Sequence, residues 1–282
     1  MTWPEYEIYI RTSLVELLAA APDEKAMQEF LEQHPCMLPG AGNIGHGGHH
    51  GAWWDAVISQ PELKGLGPTR FPDFMYVRRD TSSTQPVCIE IESPGKPWFN
   101  QSSLTPTAKL TQALDQLDEW RLWFDKPENH AIFNKMYVPE AYRDRKIEPC
   151  FVLIYGRTSE FRAGGRHKDY RRARAKRDKF RKEDQWVLTY DMLAPDWHGE
   201  TYGTIKGHAG QFKITDIPPT FKTGPYLNLS GSLMDANYDL TQALSRNVLL
   251  DENRARYLAE RWIHWRDRLQ SGAKGFLAMG LE

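Results

Sequence analysis

The sequence predicts an α/β (α+β) protein with a layered core, in which helices pack against a sheet. Three short strand-like runs follow one another between residues 52 and 91, and helical patterns with an apolar stripe lie before and after them. A nearly all-apolar run, Cys150 to Tyr155, is bounded by Pro149 and Gly156, which is typical of a strand buried on both faces. The order of helix, three strands, helix and further strand indicates a layered core.

The first predicted elements are two helices and three strands. Residues 5–20 and 23–34 show helical spacing of apolar residues, and Pro35 follows the second helix directly. The polar residues 79–83 are predicted to be a turn. With this turn between the second and third of three successive strands, we expect an antiparallel meander. Its strands are residues 52–58, 74–77 and 87–91.

The next predicted elements alternate between helix and strand. Residues 105–124 have one apolar stripe and are predicted to form a helix. After the strand 150–155, a basic helix begins near Lys168, and a short strand covers residues 186–190.

The pattern changes after Pro195 to short, turn-rich pieces, followed by one amphipathic helix from about residue 251 to 270. On that helix, Trp262 and Trp265 are expected to pack in the core, and an oligomer contact is the alternative. The expected parts of the chain are an N-terminal helix in residues 1–24, a core in 25–195 and a C-terminal extension in 196–282.

Composition excludes several classes of protein. The 282 residues contain 36 Lys and Arg against 37 Asp and Glu, so the formal net charge is −1. No apolar run approaches the roughly 18 residues of a membrane span, and the N-terminus lacks the features of a signal peptide. We therefore expect a cytoplasmic protein without a membrane partner. Cys36, Cys88 and Cys150 are far apart and odd in number, which favours buried thiols.

The positive charge is concentrated in residues 162–182, which contain eleven Lys and Arg residues but only two Asp. A basic segment on an otherwise acidic chain favours a phosphate-rich partner, and a solvated helix face is the alternative. The candidates for DNA contacts are Arg171, Arg172, Arg174, Lys176 and Arg177.

Carboxylates cluster on the predicted meander. Asp73 stands at the entry of the second strand, and strand alternation puts Glu90 and Glu92 of the third strand on one face. Exposed acids on an edge strand are the alternative, but the third strand of such a meander is usually central. Gathered carboxylates repel each other unless a cation lies between them, and hard oxygen ligands favour Mg²⁺ or Mn²⁺.

These residues resemble the signature of PD-(D/E)xK nucleases, whose core is a helix, a three-stranded meander, a helix and a further strand. Pro72-Asp73 matches its first part, and Ile89-Glu90-Ile91-Glu92 matches its second part. Over about residues 25–195 the chain also resembles the Shedu family of bacterial antiphage nucleases. The segments that show this second resemblance are residues 30–35, 90–99 and 112–120.

The resemblance implies a restriction-endonuclease-like core, a mixed sheet flanked by helices, and a DNA endonuclease that depends on Mg²⁺ or Mn²⁺. Asp73 and Glu90 would be metal ligands, and Glu32 is similar to an additional acidic ligand of RecB-like nucleases. Gln116, which with Trp120 resembles the Gln-xxx-aromatic motif of that group, would line the site. A surface glutamine is the alternative.

The sequence departs from the signature at its third position, where Glu92 stands instead of lysine. Lys96, in the turn after the strand, could return its ammonium to the site. Glu92 could instead act as base or ligand, as in some restriction enzymes with Glu-x-Glu. Loss of catalysis with retained DNA binding is the third possibility.

A glycine-rich stretch contains His46, His49 and His50, which lack the scaffold of a typical zinc site. A loop beside the active centre, structural or in contact with DNA and helped by Trp53 and Trp54, is favoured.

The leading hypothesis is a metal-dependent DNA endonuclease in antiphage defence, acting as a homo-oligomer. A non-catalytic nucleic-acid-binding or regulatory module on the same fold is the alternative, and an assembly protein is the third.

Overall fold

One mixed sheet with helices on both faces makes up the fold. The computed structural model describes residues 1–42, 44, 50–208, 211–223 and 239–270. The strands are β1 (Ala56–Ser59), β2 (Phe74–Arg79), β3 (Ser83–Ile91), β4 (Lys146–Ile147), β5 (Cys150–Ile154), β6 (Gln185–Leu188), β7 (Gly203–His208) and β8 (Gln211–Asp216). The α-helices are α1 (Trp3–Ala19), α2 (Glu24–Gln33), α3 (Ala108–Phe124), α4 (Pro127–Tyr137), α5 (Tyr170–Asp178), α6 (Thr241–Arg246) and α7 (Glu252–Gln270).

The strand order is β6-β5-β3-β2-β1-β7-β8, with the short β4 beside β3. β1, β2 and β3 pair antiparallel, so the predicted meander is confirmed. β5 and β6 add to β3 in parallel, which makes the sheet mixed and β3 a central strand. These observations confirm the α/β (α+β) class. The boundaries expected at residues 24 and 195 stay predictions.

The two faces of the sheet belong to two apolar clusters, and strand alternation decides which side chain lies in which. Ile89 and Ile91 of β3 pack in the cluster that also contains Met27 and Leu31 of α2. Cys88 of β3 packs in the opposite cluster, with α3. By period-two alternation, Glu90 and Glu92 share the α3 face with Cys88.

The first strand is shorter than predicted, because the chain turns over Trp53–Asp55 instead of continuing in extended form. Trp54 and Asp55 have φ angles of 63° and 48°, in the left-handed region that interrupts a strand. Both tryptophans are buried, and the Arg79 guanidinium lies 4.2 Å from the Trp53 ring centroid. Of the two roles expected for this loop, structural or in contact with DNA, the burial of both rings favours the structural role for Trp53 and Trp54.

The segment after Pro195 contains a hairpin, β7 and β8, that the sequence pattern does not reveal. β7 includes two glycines, and such strands have weak intrinsic propensity. It forms because it pairs in parallel with β1, with Val57 opposite Thr204. Helix α4 is a second unpredicted element.

The last helix, α7, lies where it is predicted. Trp262 and Trp265 are 3% and 8% exposed and belong to the main apolar cluster, so the prediction that they pack in the core is confirmed. The three cysteines are buried free thiols, as expected. None of the described helices is long and apolar enough to cross a membrane.

Candidate functional site

The ends of β2 and β3 bring two of the predicted acids together. Asp73 directly precedes Phe74, which pairs with Ile89 of β3. The backbone N–H of Ile91 donates a hydrogen bond of 2.8 Å to Asp73 Oδ2, which fixes that carboxyl beside the end of β3. Asp73 and Glu90 therefore form the centre of the candidate site.

The electrostatics of this pair are unfavourable for two negative charges. Burial raises the pKa of Glu90 well above its ordinary value, and the charges of Asp73 and Glu24 raise it further. Burial also raises the pKa of Asp73 to about 6, against the lowering effect of the Ile91 hydrogen bond. A hydrogen bond between the two carboxyls lowers the pKa of Asp73 and raises that of Glu90, which fits a protonated Glu90 donating to an ionised Asp73.

Helix α3 supplies a third predicted member of the site. Gln116 is exposed on α3, and its hydrogen bond to the Glu90 carboxyl lowers the pKa of Glu90. Its neighbours Ala113 and Leu117 are buried against the sheet, so helical periodicity holds Gln116 at the rim of this face. Gln116 is therefore a surface residue, as the alternative holds, but its side chain also reaches Glu90.

Glu92 and Lys96 form an ion pair just beyond β3. The N–H of Glu92 donates to the Ile154 carbonyl at 3.0 Å, so Glu92 continues the β3–β5 ladder by one residue. A turn closed by Lys96 N–H and the Ser93 carbonyl, 3.1 Å apart, follows. The Lys96 ammonium contacts the Glu92 carboxylate. The lysine thus returns towards the strand end, as one of the two sequence alternatives requires.

Glu24 is a member of the site that sequence reasoning does not identify. It is the first residue of α2, and its Oε2 lies 3.2 Å from Lys96 Nζ. Its charge also raises the pKa values of Asp73 and Glu90. The only sequence signal is its place after Asp23, which caps α2 through the Ala26 N–H, and that signal explains a helix terminus rather than a site.

Glu32 makes its polar contacts with other residues. Its Oε1 accepts hydrogen bonds from Ser59 Oγ at 2.7 Å and from Gln28 Nε2 at 3.0 Å, and Lys206 Nζ lies 2.7 Å away. Burial raises the pKa of Glu32, but these partners outweigh burial, and the pKa is lowered. Lys206, on β7, neutralises this carboxylate.

The faces of the sheet explain this separation. By strand alternation, Ser59 shares the face of Val57, in the cluster under α1 and α2, whereas Glu90 lies on the α3 face. Within the described residues, no group of three or more His, Cys, Asp or Glu side chains is arranged to hold a metal ion. The expected grouping of Glu32 with Asp73 and Glu90 is therefore not observed, and a ligand role for Glu32 stays a prediction.

Some residues of the basic segment are exposed, and others are bound to neighbouring residues of the protein. Arg171, Arg172 and Arg174 of α5 are exposed. Lys176 Nζ instead donates to the Leu104 carbonyl at 2.6 Å. The Arg177 guanidinium lies 5.1 Å from the Phe161 ring centroid and pairs with Asp178. Three of the five predicted DNA contacts are thus free to face a partner.

The histidine cluster is only partly covered by the described residues, because His46 and His49 lie outside them. His50 is exposed, and its Nε2 lies 3.3 Å from Thr81 Oγ1. This contact joins the loop to the β2–β3 turn.

Comparison with known families places the chain. Curated proteins yield no match. Residues 21–194, which are more than half of the chain, match the family described as "Shedu protein SduA, C-terminal". The chain therefore belongs to the Shedu SduA C-terminal family.

Proposed function

We propose that this protein is a metal-dependent DNA endonuclease of the PD-(D/E)xK type, acting in defence against phage. Membership of the Shedu family suggests the defence role. The observation that carries the catalytic proposal is the contact between the Asp73 and Glu90 carboxyls at the ends of neighbouring strands, beside Gln116 and Lys96. Fold alone does not determine function, so the proposal rests on these side chains.

The donor set at this place suits Mg²⁺ or Mn²⁺. Mg²⁺ is commonly held by one or two carboxylates together with waters and substrate phosphates, so Asp73 and Glu90 are a sufficient set of protein ligands. Among the described residues, no ion pair involves either of these two acids. A bound cation would act as a Lewis acid and lower the pKa of a coordinated water.

The side chains around the pair have defined tasks in this proposal. The Ile91 N–H and the Gln116 amide orient the Asp73 and Glu90 carboxyls before any ligand arrives. The Lys96 ammonium offsets negative charge where a scissile phosphate would lie. Glu92, held by Lys96, is the candidate to accept a proton from the attacking water.

One observation favours the alternative, a non-catalytic nucleic-acid-binding module. The Lys96 ammonium is engaged by two carboxylates, Glu92 and Glu24, and a lysine neutralised in this way has less positive charge to offer a phosphate. Cleavage measurements separate the two functions.

The decisive experiment incubates the full chain with supercoiled and linear DNA in Mg²⁺, Mn²⁺ or EDTA. We expect metal-dependent cleavage, and we expect Glu90→Gln to reduce it by about 100-fold or more, because the variant keeps the shape of the side chain but loses an anionic ligand. Glu128→Gln, an exposed acid on α4, is the matched control and should cleave like the wild type.

The variants Lys96→Ala and Glu92→Gln then show which residue takes the role of the lysine that the signature expects. A loss in Lys96→Ala alone makes Lys96 the replacement, whereas a loss in Glu92→Gln alone makes Glu92 the base or ligand. DNA binding without cleavage under every metal would overturn the nuclease proposal in favour of the binding module. Calorimetric titration with Mn²⁺, in the absence of DNA, checks whether Glu90→Gln loses the metal itself.

A further inference from the structure

A cavity opens beside the candidate site, on the side of the C-terminal hairpin. Its volume is about 430 Å³, within the range of about 300–1,000 Å³ typical of small-molecule sites. Phe71, Asp73, Ser59 and Lys206 are among its lining residues. It therefore combines an aromatic ring and an ammonium group with one of the two central carboxyls.

Phe71 is presented to solvent by a rigid loop. Its side chain is 55% exposed, although a phenylalanine gains by burial. Leu63 and Arg70 exchange backbone hydrogen bonds of 2.8 and 3.2 Å, and Gln60 N–H donates to the Asp73 carbonyl at 2.8 Å. These bonds close the loop on both sides of Phe71, and an exposed ring held in place loses little entropy when it binds a ligand.

Single exposed apolar residues are common and need no function. Phe71 differs from Leu66, which is 53% exposed on the same loop, because Phe71 lines the cavity and stands two residues before Asp73. Because Phe71 and Asp73 line one cavity, the ring can contact the nucleotide next to a phosphate that a cation holds at Asp73.

Lys206 supplies an ammonium group with further hydrogen-bond donors to the cavity. Its Nζ lies 2.7 Å from Glu32 Oε1, and its side chain is 39% exposed. An ammonium has three donors, so the Glu32 contact is compatible with a further bond to a phosphate oxygen.

We propose that this cavity binds an unpaired nucleobase of a DNA strand, stacked on Phe71, with an adjacent phosphate against Lys206. The inference rests on the proposed function and names its substrate class, DNA with single-stranded or frayed residues at the cleavage point. A base inside a duplex is paired and stacked on its neighbours, so only an unpaired or extruded base presents a free face to Phe71. Aromatic stacking tolerates any base, so no sequence preference is expected from this contact.

The test measures binding in EDTA, so that cleavage does not interfere. The full chain is titrated into a fluorescent single-stranded oligonucleotide and into the blunt duplex of the same sequence. We expect Phe71→Ala to weaken single-strand binding about tenfold, as loss of one stacked base does, and to leave duplex binding unchanged. Phe71→Trp should retain binding, since it keeps an aromatic face, whereas Phe71→Leu should behave like Phe71→Ala.

Leu66→Ala is the matched control, because it shortens an exposed apolar side chain of the same loop outside the cavity, and it should bind like the wild type. Unchanged melting temperatures of all variants establish that the loop is intact. A 2-aminopurine base in the oligonucleotide should also lose fluorescence on binding to the wild type and less so on binding to Phe71→Leu.

The outcomes separate this inference from the proposed function. Equal single-strand affinities of the wild type and Phe71→Ala would overturn the nucleobase site while leaving metal-dependent cleavage intact. A wild-type chain that binds neither single strand nor duplex in EDTA, and that cleaves neither with Mg²⁺ nor with Mn²⁺, would instead remove the nuclease proposal and the nucleobase site with it.

Discussion

The buried carboxyl groups of Glu32, Glu160 and Glu90 have surroundings of two kinds: the first two have compensating partners, and Glu90 has a second acid beside it. Glu32 is neutralised by Lys206, and Glu160 accepts hydrogen bonds from the N–H groups of Trp98 and Phe99 and is paired with His167 at 2.7 Å. Glu90 instead meets another carboxyl, Asp73, and its pKa is raised by burial first and by that charge second. Uncompensated acids are uncommon in structural roles, and this pair at the strand ends is the feature on which the proposed cation binding rests.

The buried His34 makes the stability of the protein depend on pH. It is buried, its Nδ1 lies 2.9 Å from the Tyr6 hydroxyl, and burial lowers the pKa of His34 to about 4. The unfolded chain has a histidine pKa of about 6.5 and therefore binds more protons than the folded chain between these two values. The stability that this group contributes is present above about pH 6.5 and is lost as the pH falls towards 4.

We expect the wild type to lose about 2.5 kcal/mol more than His34→Gln when the pH is lowered from about 7.5 to about 4.5. Urea unfolding at both pH values measures the two free energies of unfolding. The difference between the proteins removes the opposite contribution of Asp73, whose raised pKa stabilises the fold at low pH. Parallel pH profiles of the two proteins would show that His34 is not held neutral by burial.

Among the elements, helix α5 and the loop after Lys96 are joined by contacts. Lys176 reaches the Leu104 carbonyl from α5, and Glu160 holds the Trp98 and Phe99 backbone. Lys176 of the basic segment therefore supports the loop that follows Lys96, and the exposed part of the segment remains for a nucleic acid. Sequence reasoning treats all five basic residues alike, because their charge is the same in the sequence.

Neutralising Arg171, Arg172 and Arg174 together, each to Gln, tests the exposed part. Each lost phosphate contact lowers the slope of log affinity against log salt by about 0.9, so the slope should fall by up to roughly 3. The free energy of unfolding should stay close to the wild-type value, since these side chains are exposed. Binding isotherms at several salt concentrations give the slopes.

Lys135→Gln, an exposed base on α4, is the control for a general loss of charge and should keep the wild-type slope. Lys176→Met should show the reverse pattern, with reduced stability and a nearly unchanged slope, because its ammonium is bound to the Leu104 carbonyl. An unchanged slope in the triple variant would locate the DNA contacts elsewhere.

On the scale of the whole molecule, the sheet continues beyond the residues that match the family. β7 lies outside residues 21–194 and pairs with β1, which lies inside them. Thr204 Oγ1 donates to the Glu32 carbonyl at 2.7 Å, and Lys206 pairs with the Glu32 carboxylate. The hairpin thus completes the sheet and also neutralises a buried charge of α2.

Lys206→Met tests this long-range link, because it leaves Glu32 buried without its cation. Loss of a partner from a buried charge usually costs several kcal/mol, and since Lys206 is 39% exposed we expect a smaller loss of about 1–2 kcal/mol. Adding Glu32→Gln to Lys206→Met should recover part of the lost free energy of unfolding. Chemical denaturation of the wild type, the two single variants and the double variant measures this recovery. Lys146→Met, which breaks the exposed pair with Glu148, should leave the free energy of unfolding close to that of the wild type. An equal cost for both lysines would contradict a buried role for Glu32.

The sequence by itself determined the features that follow from local periodicity. Alternation along residues 89–92 separates the isoleucines from Glu90 and Glu92, and the short turn between β2 and β3 favours the antiparallel pairing that places Asp73 beside Glu90. The helical period of α3 sets Gln116 on the rim of that face. The return of Lys96 to the strand end was open in the sequence, as one of two alternatives.

Only the tertiary structure decided which distant residues meet. Glu24 enters the site because α2 begins beside the strand ends, and Glu32, two turns further along, pairs with Lys206 of β7. β7 is a strand only because β1 pairs with it. Packing and pairing between residues far apart in the chain have no signature in a local pattern, since their free energy arises only when the two partners are already in place.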